Sequence, residues 1–148
     1  MGYGPTQTRP IWKNPHASAA ETATANSGNL DGSAASLPMQ PATILVTVDS
    51  TAVSGSSPTL DITFEYSFDG GTTWIVHSAF TQITGAVQLV ARFNNYAGPG
   101  DAAIEGTESA AGTFINAPYG PDHRFLYTIG GSSPSFTFAV WVLGIPAW

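Results

Sequence analysis

The chain has 148 residues, enough for one domain of ordinary size, and its 43% hydrophobic content can supply a core. Only 9% of the residues are charged, so the surface must be covered by uncharged polar side chains or by partners. The net charge of −6 includes only four bases, Arg9, Lys13, Arg92 and Arg124, which cannot neutralise a run of phosphates, and direct nucleic-acid binding is not expected.

Residues 1–41 are predicted to form an extended, irregular N-terminal arm. Their prolines favour extended backbone and block long helices, and the stretch 17–36 consists mainly of small and polar residues. The first sixteen residues lack the apolar segment of a secretory signal. Apolar side chains flank two cations in this arm, so we expect it to order on a partner surface through Tyr3, Arg9, Ile11, Trp12 and Lys13.

From residue 42 onwards, apolar and polar residues alternate, which is typical of strands with one buried face. The predicted strands are 43–49, 60–68, 74–80, 87–93, 124–129 and 135–143. Turn-forming pieces separate them, namely SGSSP at 54–58, DGGTT at 69–73, TG at 84–85 and GGSSP at 130–134. The sequence therefore predicts an all-β domain over 42–148, an antiparallel sandwich or barrel of the jelly-roll or immunoglobulin-like kind without a helix.

A long loop is predicted over 94–122, with a short strand possible at 112–116. It carries the acids Asp101, Glu105, Glu108 and Asp122, and paired carboxylates could bind calcium or hydrolyse glycosides. Their spacing matches no EF-hand, and solvated loop acids explain them as well. No metal site is predicted.

The last predicted strand is apolar on both faces, and the sequence ends in tryptophan. Such surfaces are costly to leave in water, so Trp141 and Trp148 are predicted subunit contacts, with packing within the chain as the alternative. Closed symmetric oligomers hide patches of this kind, and we expect a homo-oligomer, with a trimer favoured.

The most distinctive local motif is S-F-D-G-G-T-T-W at 67–74. It resembles the Asp-box hairpin that repeats in sialidases and related propellers, but it occurs once and the chain is too short for a propeller. We interpret it as a structural hairpin whose defining residues are Ser67, Asp69, Gly71, Thr73 and Trp74.

No catalytic constellation is recognisable. His16, His77 and His123 are far apart in the sequence, cysteine is absent, and neither a G-x-S-x-G elbow nor a nucleotide-binding loop occurs. No apolar run is long enough to span a membrane. The predictions are therefore no enzyme, no catalytic residues, no cofactor and no membrane association.

Residues 53–74 and 80–85 resemble small virion proteins of tailed bacteriophages. In those proteins an "SPTLDVTV" strand, a "DGGTTW" hairpin and an "FTQxTG" return recur, and this chain has SPTLDITF, DGGTTW and FTQITG. The resemblance implies a β-sandwich structural protein and favours a capsid decoration (cement) protein. It would be made in the host cytoplasm, reside in the virion, and bind the major capsid protein or other virion subunits.

Two alternatives stay open. The first is a tail-tube, baseplate or fibre module, since these are also rich in β-structure. The second is a carbohydrate-binding module, in which sugars would stack on Trp12, Trp74, Trp141 or Tyr119.

Overall fold

Six antiparallel strands form the protein in a computed structural model that describes residues 11–28, 30, 42–94, 112, 120 and 122–146. The strands are β1 (Ile11–Glu21), β2 (Ala25–Asn26), β3 (Ala42–Ser67), β4 (Ile75–Ala79), β5 (Val87–Asn94) and β6 (Asp122–Pro146). None of the described residues is helical. The prediction of an all-β antiparallel fold is confirmed.

Strands β3 and β6 dominate the sheet. They pair antiparallel from Ala42 opposite Pro146 to Ser67 opposite Asp122, with three register shifts between Ser50 and Thr59. The pieces SGSSP and GGSSP, which we predicted to be turns between strands, lie inside these two strands and pair with each other. The predicted separation into four shorter strands is therefore wrong at these two points.

The two G-S-S-P segments cross each other with near-identical backbone geometry. Gly55 and Gly131 have φ of 112° and 111°, and Ser57 and Ser133 have φ of 49° and 47°. A Cβ atom on Gly55 would lie 2.7 Å from the Ser133 carbonyl oxygen, and one on Gly131 would lie 2.7 Å from the Ser57 carbonyl oxygen. The contact is thus reciprocal, as a local twofold axis requires, and glycine is needed on both sides.

The crossing folds both long strands back on themselves. Tyr127 and Phe138 lie on the same strand, and in a straight strand their Cα atoms would be roughly 36 Å apart. Their ring centroids are only 5.3 Å apart. The sheet therefore bends at the crossing and forms two facing layers, which is a sandwich-like arrangement.

The strand pairings define each layer. In the first layer, β1 pairs with residues 136–144 of β6, and β5 pairs with residues 43–50 of β3. In the second layer, β2 pairs with residues 126–127 of β6, and β4 pairs with residues 63–66 of β3. Each layer has the same plan, in which one half of β3 and one half of β6 lie between two edge strands.

The core lies between the layers and follows the alternation of the sequence. Its fully buried members include Ile44, Val46, Val48, Leu60, Ile62, Phe125, Phe136, Phe138, Val140 and Val142. At about 25 cal/mol per Å² of apolar surface, each such side chain contributes roughly 1.5–3 kcal/mol relative to an exposed one.

Part of the predicted irregular arm belongs to this sandwich. Residues 11–21 form the edge strand β1, and Leu30 is 3% exposed in the core, where its amide donates to the His123 carbonyl oxygen at 2.8 Å. Residues 11–21 and Leu30, which belong to the predicted arm, thus pair and pack with the strands of the predicted domain. Most of the predicted loop 94–122, including the possible strand at 112–116 except for Gly112, lies outside the described residues.

Candidate interaction surfaces

The Asp-box hairpin joins β3 to β4 and is organised by two side chains. Asp69 Oδ1 accepts hydrogen bonds from the amides of Thr73 at 2.7 Å and Thr72 at 3.1 Å. Ser67 Oγ donates to Asp69 Oδ1 at 2.8 Å and accepts from the Gly71 amide at 2.9 Å. Both polar groups are used within the turn, as a structural role for this motif requires.

The same hydrogen bonds set the titration of Asp69. The amide of Thr73 makes the largest contribution, and together the donors lower the pKa of Asp69 from 3.8 to about 2. Because donors stabilise the charged form of the carboxylate, the turn is held by an ionised side chain over the whole physiological range.

Trp74 closes the hairpin and is engaged on two sides. Its Nε1 donates to the Gly71 carbonyl oxygen at 2.9 Å, and the Arg124 guanidinium lies 4.1 Å from its ring centroid. Arg124 Nε also donates to Glu65 Oε2 at 2.7 Å, and the Glu65 side chain is only 7% exposed. This Glu65–Arg124–Trp74 cluster was not predicted from the sequence, because it depends on the register that places Glu65 opposite Arg124.

The side chains of His77 and His123 are buried among core residues. His77 is 2% exposed and its Nδ1 lies 2.8 Å from Ser78 Oγ, while His123 is 1% exposed. The ring of Phe64 lies 5.6 Å from that of His77 and 5.9 Å from that of His123. Both imidazole rings therefore pack against the aromatic core.

His16 joins β1 to the core. Its ring centroid lies 4.3 Å from that of Phe138 and 4.9 Å from that of Tyr127, which come from opposite layers. Burial lowers the pKa of His16 from 6.5, and Glu21, whose Oε1 is 3.8 Å from His16 Nε2, opposes that shift. The histidine therefore packs as a neutral aromatic side chain.

Exposed apolar side chains mark the outer face of the first layer. Trp141 is 42% exposed and lies opposite Thr47, which in turn lies opposite Val90, which is 66% exposed. The three residues form one row across β6, β3 and β5, which we call the Trp141 row. Phe68, at the tip of the Asp-box hairpin, is 71% exposed.

Three of the five predicted partner-binding residues lie among the described residues. Ile11, Trp12 and Lys13 lie on β1, opposite Gly144, Leu143 and Val142, and Lys13 is half-buried. Tyr3, Arg9 and the predicted subunit contact Trp148 lie outside the described residues. Of the aromatic residues proposed to stack on sugars, Trp141 is the one whose ring the structure describes as exposed.

No group of three or more potential metal ligands occurs among the described residues. The loop acids Asp101, Glu105 and Glu108 lie outside this set, and Asp122 is half-buried at the start of β6. The described part of the chain also contains no helix long and apolar enough to cross a membrane.

These features define an all-β sandwich-like protein. The polar groups of its Asp box form hydrogen bonds within the turn, and the outer face of its first layer carries the exposed apolar side chains Val90 and Trp141. Comparison with protein-family models, curated proteins and solved structures found no match to this chain.

Proposed function

We propose that the protein is a non-enzymatic structural subunit of a tailed-bacteriophage particle, a capsid decoration protein that binds and stabilises the head. Its partners would be the major capsid protein and neighbouring virion subunits. Ile11, Trp12 and Lys13 would make contacts from the edge strand β1, together with Tyr3 and Arg9 of the preceding residues.

The observation that carries this proposal is the arrangement of the segments that resemble phage virion proteins. The FTQITG return lies beside the SPTLDITF strand, with reciprocal backbone hydrogen bonds between Leu60 and Ile83 at 2.8 and 2.9 Å. Gln82 Nε2 also donates to both carboxylate oxygens of Asp61 at 3.1 Å. Two of the segments that carry the resemblance, SPTLDITF and FTQITG, are thus in direct contact in the folded protein.

The surface chemistry supports an assembly role. The Asp box uses its polar groups internally, and large apolar side chains face outward at Phe68, Val90 and Trp141. With 9% charged residues, such a surface is suited to contacts with other subunits. On a capsid lattice, many modest contacts of this kind stabilise the shell through avidity.

The proposal is tested on virions produced by the genome that encodes this chain. The purified particles should contain the protein in stoichiometric amounts, and cryo-electron microscopy should show its two-layered density on the head lattice. Density in the tail would favour the tail-module alternative, and absence of the protein from the particles would refute a virion role.

A variant pair tests the docking face on the same particles. Trp141→Ala should lower occupancy, because it removes the largest exposed ring of the outer face. Thr128→Ala, at an exposed position opposite Asp61 in the second layer, is the matched control and should decorate as wild type does.

The exposed ring of Trp141 also favours a second candidate, carbohydrate binding, since a tryptophan on a sheet face can stack against a sugar. Trp74 is unsuited to this role because Arg124 covers its ring. Binding of the purified protein to one sugar class on a glycan array, abolished by Trp141→Ala, would establish this function instead.

A further inference from the structure

The edge strands differ in how well they are protected against pairing with another chain. Natural sheets protect their edges with prolines, charges, bulges or short length. Strand β1 contains Pro15, Lys13 and Glu21 and shifts register twice, while β4 is only five residues long and pairs with a register shift. Strand β5 has eight consecutive pairs with β3 and no shift.

The outer edge of β5 has no strand partner among the described residues. Its outward side chains are exposed, and they are Gln88, Val90 and Arg92. Gln88 Nε2 donates to Asp49 Oδ1 at 3.1 Å on the neighbouring strand β3. Along this edge Val90 forms an apolar centre. Gln88 and the neighbouring Asp49 form a polar, anionic end, and Arg92 forms a cationic end.

This pattern is self-complementary. If two β5 strands meet antiparallel with Val90 opposite Val90, Arg92 of each copy lies opposite Gln88 of the other and one strand away from its Asp49. The charge contact between Arg92 and Asp49 of the other copy then forms twice and is favourable, and the Val90 side chains of the two copies cover each other. Identical edges pair antiparallel only about a twofold axis, so the matching occupant of this edge is a second copy of the chain.

We propose that two copies associate through β5 and form a continuous sheet that joins the Trp141 rows of both subunits. The complex is a dimer, which differs from the trimer suggested by composition, because the paired edges are identical. The proposal does not depend on the virion role.

Sedimentation of the full chain over a wide concentration range tests the assembly. The wild-type protein should sediment as a dimer, and Val90→Lys should raise the dimer dissociation constant at least about tenfold, because it places two cations face to face beside the arginines. Ala20→Lys, which adds the same charge at an exposed position on edge strand β1, should remain dimeric. A monomer or a trimer for the wild type, or an unaffected Val90→Lys dimer, would overturn the proposal.

A charge exchange provides the second test and guards against folding defects. Arg92→Glu should weaken the dimer, because it brings a carboxylate near Asp49 of the other copy, and Arg92→Glu combined with Asp49→Lys should restore it. Hydrogen exchange should show protected β5 amides in the wild type and faster exchange in Val90→Lys, with β6 unchanged. If the double variant fails to dimerise and the β5 amides of Val90→Lys exchange as in the wild type, any dimer contact lies elsewhere and β5 pairing is refuted.

Discussion

The Asp69 carboxylate holds the amides of Thr72 and Thr73 in the tight turn between β3 and β4. Asp69→Ala should therefore lower the thermal denaturation midpoint, and Asp69→Asn should lower it less because one acceptor oxygen remains. An unchanged midpoint for Asp69→Ala would mean that the turn is held by the strands alone.

The pH dependence of this residue has a defined sign. Because the pKa is lowered from 3.8 to about 2 in the folded state, its stabilisation is complete above 3.8 and is lost as the pH falls through about 2. Urea denaturation at a series of acidic pH values should thus show a smaller acid-induced loss of stability in Asp69→Ala than in wild type.

His16 should make stability depend on pH in a different range. Its pKa is lowered by burial, so the folded state binds fewer protons than the unfolded state, and stability should fall as the pH drops below 6.5. Glu21 reduces this effect, and Tyr127, whose pKa is raised, stays neutral there. His16→Phe should flatten the profile between about pH 7 and pH 5. An identical slope in both proteins would exclude His16 as its source.

The Glu65–Arg124 pair should be strongly coupled, because Glu65 is 7% and Arg124 is 20% exposed. Arg124→Met should lower the free energy of unfolding by on the order of 3 kcal/mol, because it leaves the Glu65 charge without its partner and removes the cation from the Trp74 ring. Combining it with Glu65→Gln should recover part of this loss. Additive losses in the double-mutant cycle would show that the two side chains do not act together.

At the scale of the strands, alternation was sufficient to locate most of the sheet. The six strands predicted at 43–49, 60–68, 74–80, 87–93, 124–129 and 135–143 lie mainly within β3, β4, β5 or β6, because one face of each is buried. The G-S-S-P pieces misled the prediction because glycine, serine and proline indicate turns when read locally. Their pairing across the sheet is a long-range contact, which local composition does not reveal.

The crossing of the two long strands yields a prediction with a matched control. Gly55→Ala and Gly131→Ala should each lower stability by on the order of 1–3 kcal/mol or more, since alanine is strained at these positive φ values and its Cβ would overlap a facing carbonyl oxygen. Gly85→Ala, with ordinary φ and no atom within 4 Å of the added Cβ, should be nearly neutral. Chemical denaturation of the three variants compares them directly, and equal stabilities would argue against a tight crossing.

For the whole molecule, the role of the N-terminal region was the least predictable part. Apolar alternation is weak between residues 11 and 30, and β1 is held by pairing with β6 and by the packing of His16. Such contacts depend on which strand edge is left unpaired once the rest of the sheet has formed, and this cannot be inferred from residues 11–30 themselves. The same difference between local and long-range contacts applies to the candidate sites. The Asp-box turn is formed by residues close in sequence and was predicted, whereas the Glu65–Arg124 cluster and the β5 edge depend on the register of distant strands.

Removal of residues 1–30 should consequently destabilise the protein. It deletes β1, β2 and the buried Leu30, and it uncovers Tyr127 and Phe138. The truncated chain should show a lower denaturation midpoint and bind hydrophobic dyes. A truncated chain as stable as the full-length protein would mean that β1 is only loosely attached.

The pairing of β3 with β6 over most of their lengths has a consequence for biosynthesis. Both layers contain parts of β3 and β6, and residues 68–121 separate these two strands in the chain. Strand β3 is therefore synthesised well before its main partner β6. Until β6 has left the ribosome, β3 exposes one unpaired side along most of its 26 residues. Contacts of this sequence separation form slowly, and open strand edges promote aggregation. We therefore expect the nascent chain to depend on chaperone protection and to become protease-resistant only after β6 has emerged and paired with β3.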